Sequence, residues 1–339
     1  MANMKSIVCA APGELHMGQS PIPSAGENEA LLRVRRIGIC GTDMHIFRGT
    51  QPFLQYPRVM GHELSGEVVT APAGSGLAAG DQVFVMPYLS CGECVACRKG
   101  KTNCCTKIQV LGVHRDGGMA EYLAVPAQFV FKTEGISLDD AAMLEFLAIG
   151  AHAVRRGAVE PGQRVLVVGA GPIGVAAALF ASLKGGEVTV LDSRTDRLAF
   201  CEDVLKVKHV VTAGDGDKDA LSAITGGDFF DVVFDATGNI KAMERGLEFV
   251  AHGGTYVLVS IVLDRLSFAD PEFHKRETNL LGSRNATVDD FREVLAAMKA
   301  GLVPTQAMNT HRATLDDFID VLPQWMDPAS GVIKAIVEV

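Results

Sequence analysis

The sequence predicts an α/β protein built in two parts, a β-rich, barrel-like domain and a doubly wound parallel-sheet domain inserted into it. Three observations carry that prediction. Up to about residue 138 the chain holds short alternating runs such as ALLRVRRIGI, LSGEVVTA and DQVFVMPY, separated by Gly and Pro turns, as half-buried strands require. Residues 164–175, RVLVVGAGPIGV, lead a continuous apolar strand into G-x-G-x-x-G and a helix. The tail GVIKAIVEV is strand-like again and returns to the first part. The boundaries implied are 1–148 and 287–339 for the barrel-like domain, with 149–286 inserted between them.

A chain of 339 residues can bury a sizeable core, and 48% apolar with 21% charged residues is ordinary for a globular protein. The net charge of −9 argues against a nucleic-acid partner, whose phosphates call for a basic face. No run of about eighteen apolar residues occurs, so no membrane-spanning helix is expected. The start, MANMKSIVCAAPGELHM, lacks the charge and apolar length of a secretory signal, which points to the cytoplasm. Of the eight cysteines, five crowd between Cys91 and Cys105, a spacing that reads as metal binding rather than disulfides. Cys9 and Cys201 stand on apolar stretches and read as core thiols.

The chemistry concentrates first in Gly38–Glu63, GICGTDMHIFRGTQPFLQYPRVMGHE. Cys40 and His62, with Glu63 beside it, offer the thiolate, imidazole and carboxylate that Zn²⁺ accepts. Alone, the pair reads as well as a buried thiol and a hydrogen-bonded core imidazole; the later features favour the metal. Cys91, Cys94, Cys97 and Cys105 form C-x₂-C-x₂-C-x₇-C, enough for a closed tetrahedral zinc site that pins a loop. Cys104 competes with Cys105 for the fourth place, and an iron–sulfur cluster is the alternative occupant. From Leu138 the pattern becomes helical, with Asp139 and Asp140 in the first turn. Glu145 falls among Ala, Met, Leu and Phe in that helix. A buried carboxylate needs a partner, and the Cys40/His62 metal is a candidate.

In the inserted domain Gly169, Gly171 and Gly174 permit the tight turn, the close approach to a pyrophosphate and the packing of helix on strand. Asp192 ends the next strand, EVTVLD, where a carboxylate accepts from the adenosine ribose. Its charge opposes a 2′-phosphate and favours NAD over NADP, although Arg194 and Arg197 follow closely.

These blocks together resemble the zinc-dependent medium-chain dehydrogenases/reductases, with a GroES-like barrel and a Rossmann domain, over essentially the whole chain. YPRVMGHE, LGVHRDGG, DPEFHKRET and GSRNAT are most similar to the polyol and sugar-acid branch. The resemblance implies hydride transfer from a secondary alcohol of a sugar acid, L-galactonate-like, to NAD. It implies Cys40 and His62 as ligands of a catalytic zinc, with Glu63 and Glu145 as further carboxylates, bound directly or behind the ligands. It implies Asp43 as the group orienting the ligand imidazole, and Thr42 and His45 as a proton relay by way of the cofactor ribose. The plain alternative for Thr42 and His45 is a turn hydroxyl and a surface imidazole. Cofactor contacts are implied for Gly169, Gly171, Pro172, Ile173, Gly174, Asp192, Ser193, Arg197, Thr237, Ser260 and Arg284. Arg284 could instead meet a substrate carboxylate, as could His114 or Arg115. One departure stands out: Phe146 follows Glu145 where the family has Pro. The rival readings are a neutral-polyol dehydrogenase, a zinc-free quinone reductase and a non-catalytic zinc- and NAD-binding regulator. The last two would be expected to lack the ligand residues this chain keeps. A homodimer or homotetramer is the assembly the resemblance suggests.

Overall fold

In the computed structural model, which describes residues 2–339, the chain forms two compact units. One runs to Glu145 and resumes at Thr287; the other is Phe146–Ala286.

The first unit is organised on the strand Glu29–Ile39. One edge of it pairs with Glu63–Thr70, and the other is shared between Tyr122–Pro126 and Lys334–Glu338. Gln82–Val85 and Val130–Lys132 extend the sheet on one side, and Asn309–Thr314 on the other. Ala30, Leu32 and Val34 are buried in alternation, after which the buried positions become Ile37 and Ile39. A register shift between Val34 and Arg36 changes the phase, as a bulge does. Three chain segments therefore meet at one end of this sheet, since Gly38 lies opposite Glu63 and Ala335 opposite Ile39. The tail strand Lys334–Glu338 pairs with the central strand of the first unit.

Beyond Ile39 the chain turns directly into the helix Gly41–Arg48, with Cys40 as its N-cap. The Cys40 sulfur accepts from the Thr42 amide at 3.2 Å, and Asp43 accepts from the Cys40 amide at 3.0 Å. This reciprocal cap fixes the thiol before any metal is considered. The helix expected from Leu138 is two helices, Leu138–Ala141 and Leu144–Gly157. The Met143 amide bonds back to the Asp140 carbonyl at 2.9 Å, a tight turn that ends the first piece. The second piece then begins with Glu145 in its first turn.

The second unit is a six-stranded parallel sheet. Its order is His209–Thr212, Glu187–Asp192, Arg164–Val168, Phe230–Asp235, Val250–Leu258 and Asn279–Gly282. Leu166, Val168, Leu191, Phe230, Val233 and Phe249 pack in its core. The strand order reverses between Arg164–Val168 and Phe230–Asp235, which opens a crevice at the carboxyl ends of those strands. Among the described residues no helix is long and apolar enough to cross a membrane.

Candidate active site

The Cys40 sulfur and His62 Nε2 lie 3.1 Å apart, and the donor atoms of Cys40, His62 and Glu63 all fall within 4.8 Å of one another. His62 and Glu63 are buried and Cys40 is half-buried. Gly61 makes the turn before His62 possible. Its φ is +89°, and a Cβ there would sit 3.1 Å from the Met119 amide nitrogen. Behind His62, Nδ1 faces Asp43 Oδ1 at 4.0 Å, and both atoms are buried without a hydrogen-bond partner. A small shift of the imidazole would join them, the support a metal-bound imidazole ordinarily has.

Burial raises the Cys40 thiol, and Asp43 and Glu63 add to the rise against the opposing pull of His62. Burial by itself lowers His62, but Cys40, Asp43 and Glu145 outweigh it and hold the imidazole well above its ordinary value. Glu145 reaches the same neighbourhood from the start of its helix. It is pushed up to about 7, first by burial and then by Glu63, while His62 and the Tyr88 hydroxyl oppose the rise. Tyr88 donates its hydroxyl to Glu145 and is itself buried. Glu63 is paired through both oxygens to the Lys334 ammonium, at 2.7 and 2.6 Å. Three buried carboxylates, Asp43, Glu63 and Glu145, and a thiol thus face one lysine and one imidazole. That surplus of negative charge, with two orphaned polar atoms, fits a bound dication.

Two of these groups, Lys334 and Tyr88, were missed in the sequence. The signal for Lys334 was a lysine in the middle of the apolar run GVIKAIVEV. Thr42 and His45 lie one turn apart on the capped helix. His45 is exposed, contacts the Thr50 hydroxyl through Nδ1 at 2.8 Å, and has its pKa lowered by partial burial and by Arg48. His114 accepts from the Val110 amide at 3.1 Å and stacks on Phe53. Arg115 lies 3.8 Å from Glu29, and its carbonyl accepts from the Gly112 amide at 2.8 Å.

Cys91, Cys94, Cys97 and Cys105 form a second cluster, with sulfur–sulfur distances of 3.5, 3.5 and 4.0 Å. A tetrahedron with zinc–sulfur bonds of about 2.3 Å has edges of about 3.8 Å, so this donor set fits a structural zinc. Backbone amides of Cys97 and Thr106 lower Cys94 to about 5, and those of Glu93 and Cys94 lower Cys91. Burial and the neighbouring thiols push Cys97 up to about 11. Cys104 is exposed and lies outside the cluster.

In the second unit, the loop and strand ends expected to meet a dinucleotide are gathered at one edge. Val168 is in register with Leu191 and with Asp235, and Asp235 with Leu258, so Gly169, Asp192, Thr237 and Ser260 follow aligned carboxyl ends. Gly169 has φ +93°. A Cβ on Gly174 would lie 1.7 Å from the Gly169 carbonyl oxygen, whereas one on Gly171 would meet nothing within 4 Å. The loop is thus tight on its protein side and open on the other, as a pyrophosphate cradle requires. Pro172 and Ile173 begin the helix Pro172–Leu183, whose N-terminus favours an anion. The Asp192 carboxylate accepts from the Ala170 amide at 2.5 Å and the Arg194 amide at 2.7 Å. Ser193 is exposed beside it, Arg194 is turned to Asp196, and Arg197 is buried. Arg284 is exposed and follows the strand Asn279–Gly282.

Fold and site together define a zinc-binding dehydrogenase of the alcohol dehydrogenase class. Residues 26–135 match the alcohol dehydrogenase GroES-like domain, and residues 172–300 match the zinc-binding dehydrogenase family. The chain belongs to the zinc-type medium-chain alcohol dehydrogenase family. It is 46% identical over 313 residues to an L-galactonate-5-dehydrogenase of Escherichia coli K12, covering 92% of each chain. A 2-dehydro-3-deoxy-L-galactonate 5-dehydrogenase of Pseudoalteromonas atlantica is 31% identical, over 95% of this chain and 94% of the relative. The solved structure of an alcohol dehydrogenase (rspB) from E. coli CFT073, complexed with NADH, superposes with a TM-score of 0.93, 28% identity and 99% of each chain covered.

Proposed function

We propose that this enzyme oxidises a secondary alcohol of a sugar acid of the L-galactonate type to a ketone, with NAD as hydride acceptor. The observation that carries the reading is 46% identity over 92% of both chains to a dehydrogenase named for that substrate. Cys40, His62 and Glu63 would hold the zinc, with Glu145 as a further carboxylate at the same centre. When bound, zinc supplies the Lewis acidity that lowers the pKa of a substrate hydroxyl. Asp43 orients His62. Thr42 would take the hydroxyl proton as it gives up its own, as the first member of a relay whose last member, the exposed His45, passes a proton to solvent; the lowered pKa of His45 suits release near neutral pH. The Gly169–Gly174 loop, Asp192, Ser193, Arg197, Thr237, Ser260 and Arg284 bind the dinucleotide, and Asp192 selects NAD by repelling a 2′-phosphate.

The test is NADH absorbance with zinc-loaded enzyme and a panel of aldonates and neutral polyols. Turnover of L-galactonate with NAD, and little with sorbitol or butanediol, is expected. Turnover of neutral polyols alone would move the enzyme to the other branch. Assembly as a homodimer or homotetramer belongs to the same reading. The strand Asn279–Gly282 is the edge of its sheet and exposes Leu280, which supports it; light scattering measures the state.

A further inference from the structure

Lys334 is fully buried in the closing strand Lys334–Glu338, and the chemistry above does not use it. Its ammonium donates to both oxygens of Glu63, at 2.7 and 2.6 Å, and to the Ile39 carbonyl at 3.2 Å. Ile39 immediately precedes Cys40, and Glu63 immediately follows His62. The three hydrogens of one ammonium thus tie the turn that carries the thiol to the turn that carries the imidazole. Room for this arrangement is made by Gly38, where a Cβ would lie 2.1 Å from Glu63 Oε2.

We propose that Lys334 is a positioning residue of the metal centre: it staples the Cys40 and His62 turns together and orients the Glu63 carboxylate toward their common donor site. The proposal rests on the reading of Cys40 and His62 as zinc ligands. A carboxylate oxygen bonded to an ammonium keeps a lone pair for a metal, so Lys334 and a dication share Glu63. The backbone delivers the cation by pairing Ala335 with Ile39, so Lys334 meets Glu63 only when the last strand docks. An interior hydrophobe at 334 would leave Glu63 buried and unpaired and free the two turns to separate.

The test uses cobalt(II) as the probe, read by its thiolate charge-transfer absorbance. The difference between the parent protein and H62A isolates cobalt at Cys40 and His62 from cobalt at the four-thiolate site. Two comparisons are made, K334M with the parent, and E63Q/K334M with E63Q. The second pair carries no charged carboxylate at position 63 for the loss of Lys334 to strand, which keeps the comparison open if K334M alone fails to fold; retention of metal at Cys91–Cys105 reports folding. In each comparison, loss of Lys334 should weaken cobalt binding at the Cys40/His62 site roughly 10- to 100-fold and shift its band. If E63Q/K334M binds cobalt as E63Q does, with the same band, the inference is overturned while the zinc-centre reading stands. No difference between the parent and H62A would overturn that reading, and this inference with it.

Discussion

The two metal-binding clusters of the first unit are built on opposite plans. The four-cysteine cluster takes every donor from fifteen consecutive residues, Cys91–Cys105, and its thiolates at Cys91 and Cys94 are stabilised by amides of the same loop. The Cys40/His62/Glu63 cluster takes different donor types from two strand ends, and a third segment, the closing strand, delivers Lys334 to it. The first is closed and local, so its geometry can persist while the surrounding sheet changes. The second is assembled, buried and short of positive charge, so its geometry depends on three segments arriving together. A closed site stabilises a loop; an assembled site with mixed donors can leave a position for substrate.

The sharpest way to break this comparison is His62→Ala. It should lower kcat/KM about a thousandfold or more, some 4 kcal/mol of barrier, because it removes a ligand of the group that activates the hydroxyl. Metal analysis should then find the four-thiolate site still filled. Loss of both metals from this single change would show that the clusters are not independent. Cys97→Ser is the reverse experiment. It should empty the four-thiolate site, leave cobalt absorbance at Cys40/His62 intact, and lower the melting temperature by about 5–10 °C, the equivalent of roughly 3 kcal/mol for a unit of this size. An unchanged melting temperature would mean that the loop does not need its metal.

The contrast also explains what could be read in advance. C-x₂-C-x₂-C-x₇-C names its own site, since spacing alone brings the sulfurs together. The same holds for the Gly169–Gly174 loop and Asp192, whose strand–turn–helix–strand context is contiguous. Cys40, His62, Thr42 and Asp43 were legible as a stretch, and Glu145 as an anomalous acid in an apolar helix. Lys334 and Tyr88 were not, because their partners lie 271 and 57 residues away and only the sheet pairing brings them in. The break at Ala142–Met143 was invisible because its apolar residues suit a continuous helix as well as an interrupted one.

Asp192 extends the local half of the comparison to the second unit. Asp192→Asn keeps an oxygen for a backbone amide but removes the charge. The KM for NAD should rise about tenfold, and the preference for NAD over NADP should fall roughly 10- to 100-fold, as the loss of one charge-assisted hydrogen bond predicts. Steady-state kinetics with both cofactors would check it. Equal selectivity in the variant would mean that the Asp192 charge does not set the preference.

The smallest effect tests how the closing segment is held in place. Asp139 accepts from Arg36 at 2.6 Å and from Arg312, and Arg36 also reaches Glu338 at 3.2 Å. One acid thus links the strand leading to Cys40, the helix preceding Glu145 and the returning strands. Partial burial would raise the Asp139 carboxyl, but Arg312 and Arg36 prevail and hold it below its ordinary value. A carboxyl whose folded pKa is depressed stabilises the fold above its unfolded pKa, about 3.9, and that contribution disappears as the pH falls through the folded value. Asp139→Asn should therefore cost stability at pH 7, by about 1 kcal/mol or less because the side chains remain partly exposed, and less at pH 3. Urea unfolding at the two pH values measures the difference. An equal loss at both would assign the effect of the substitution to packing rather than charge.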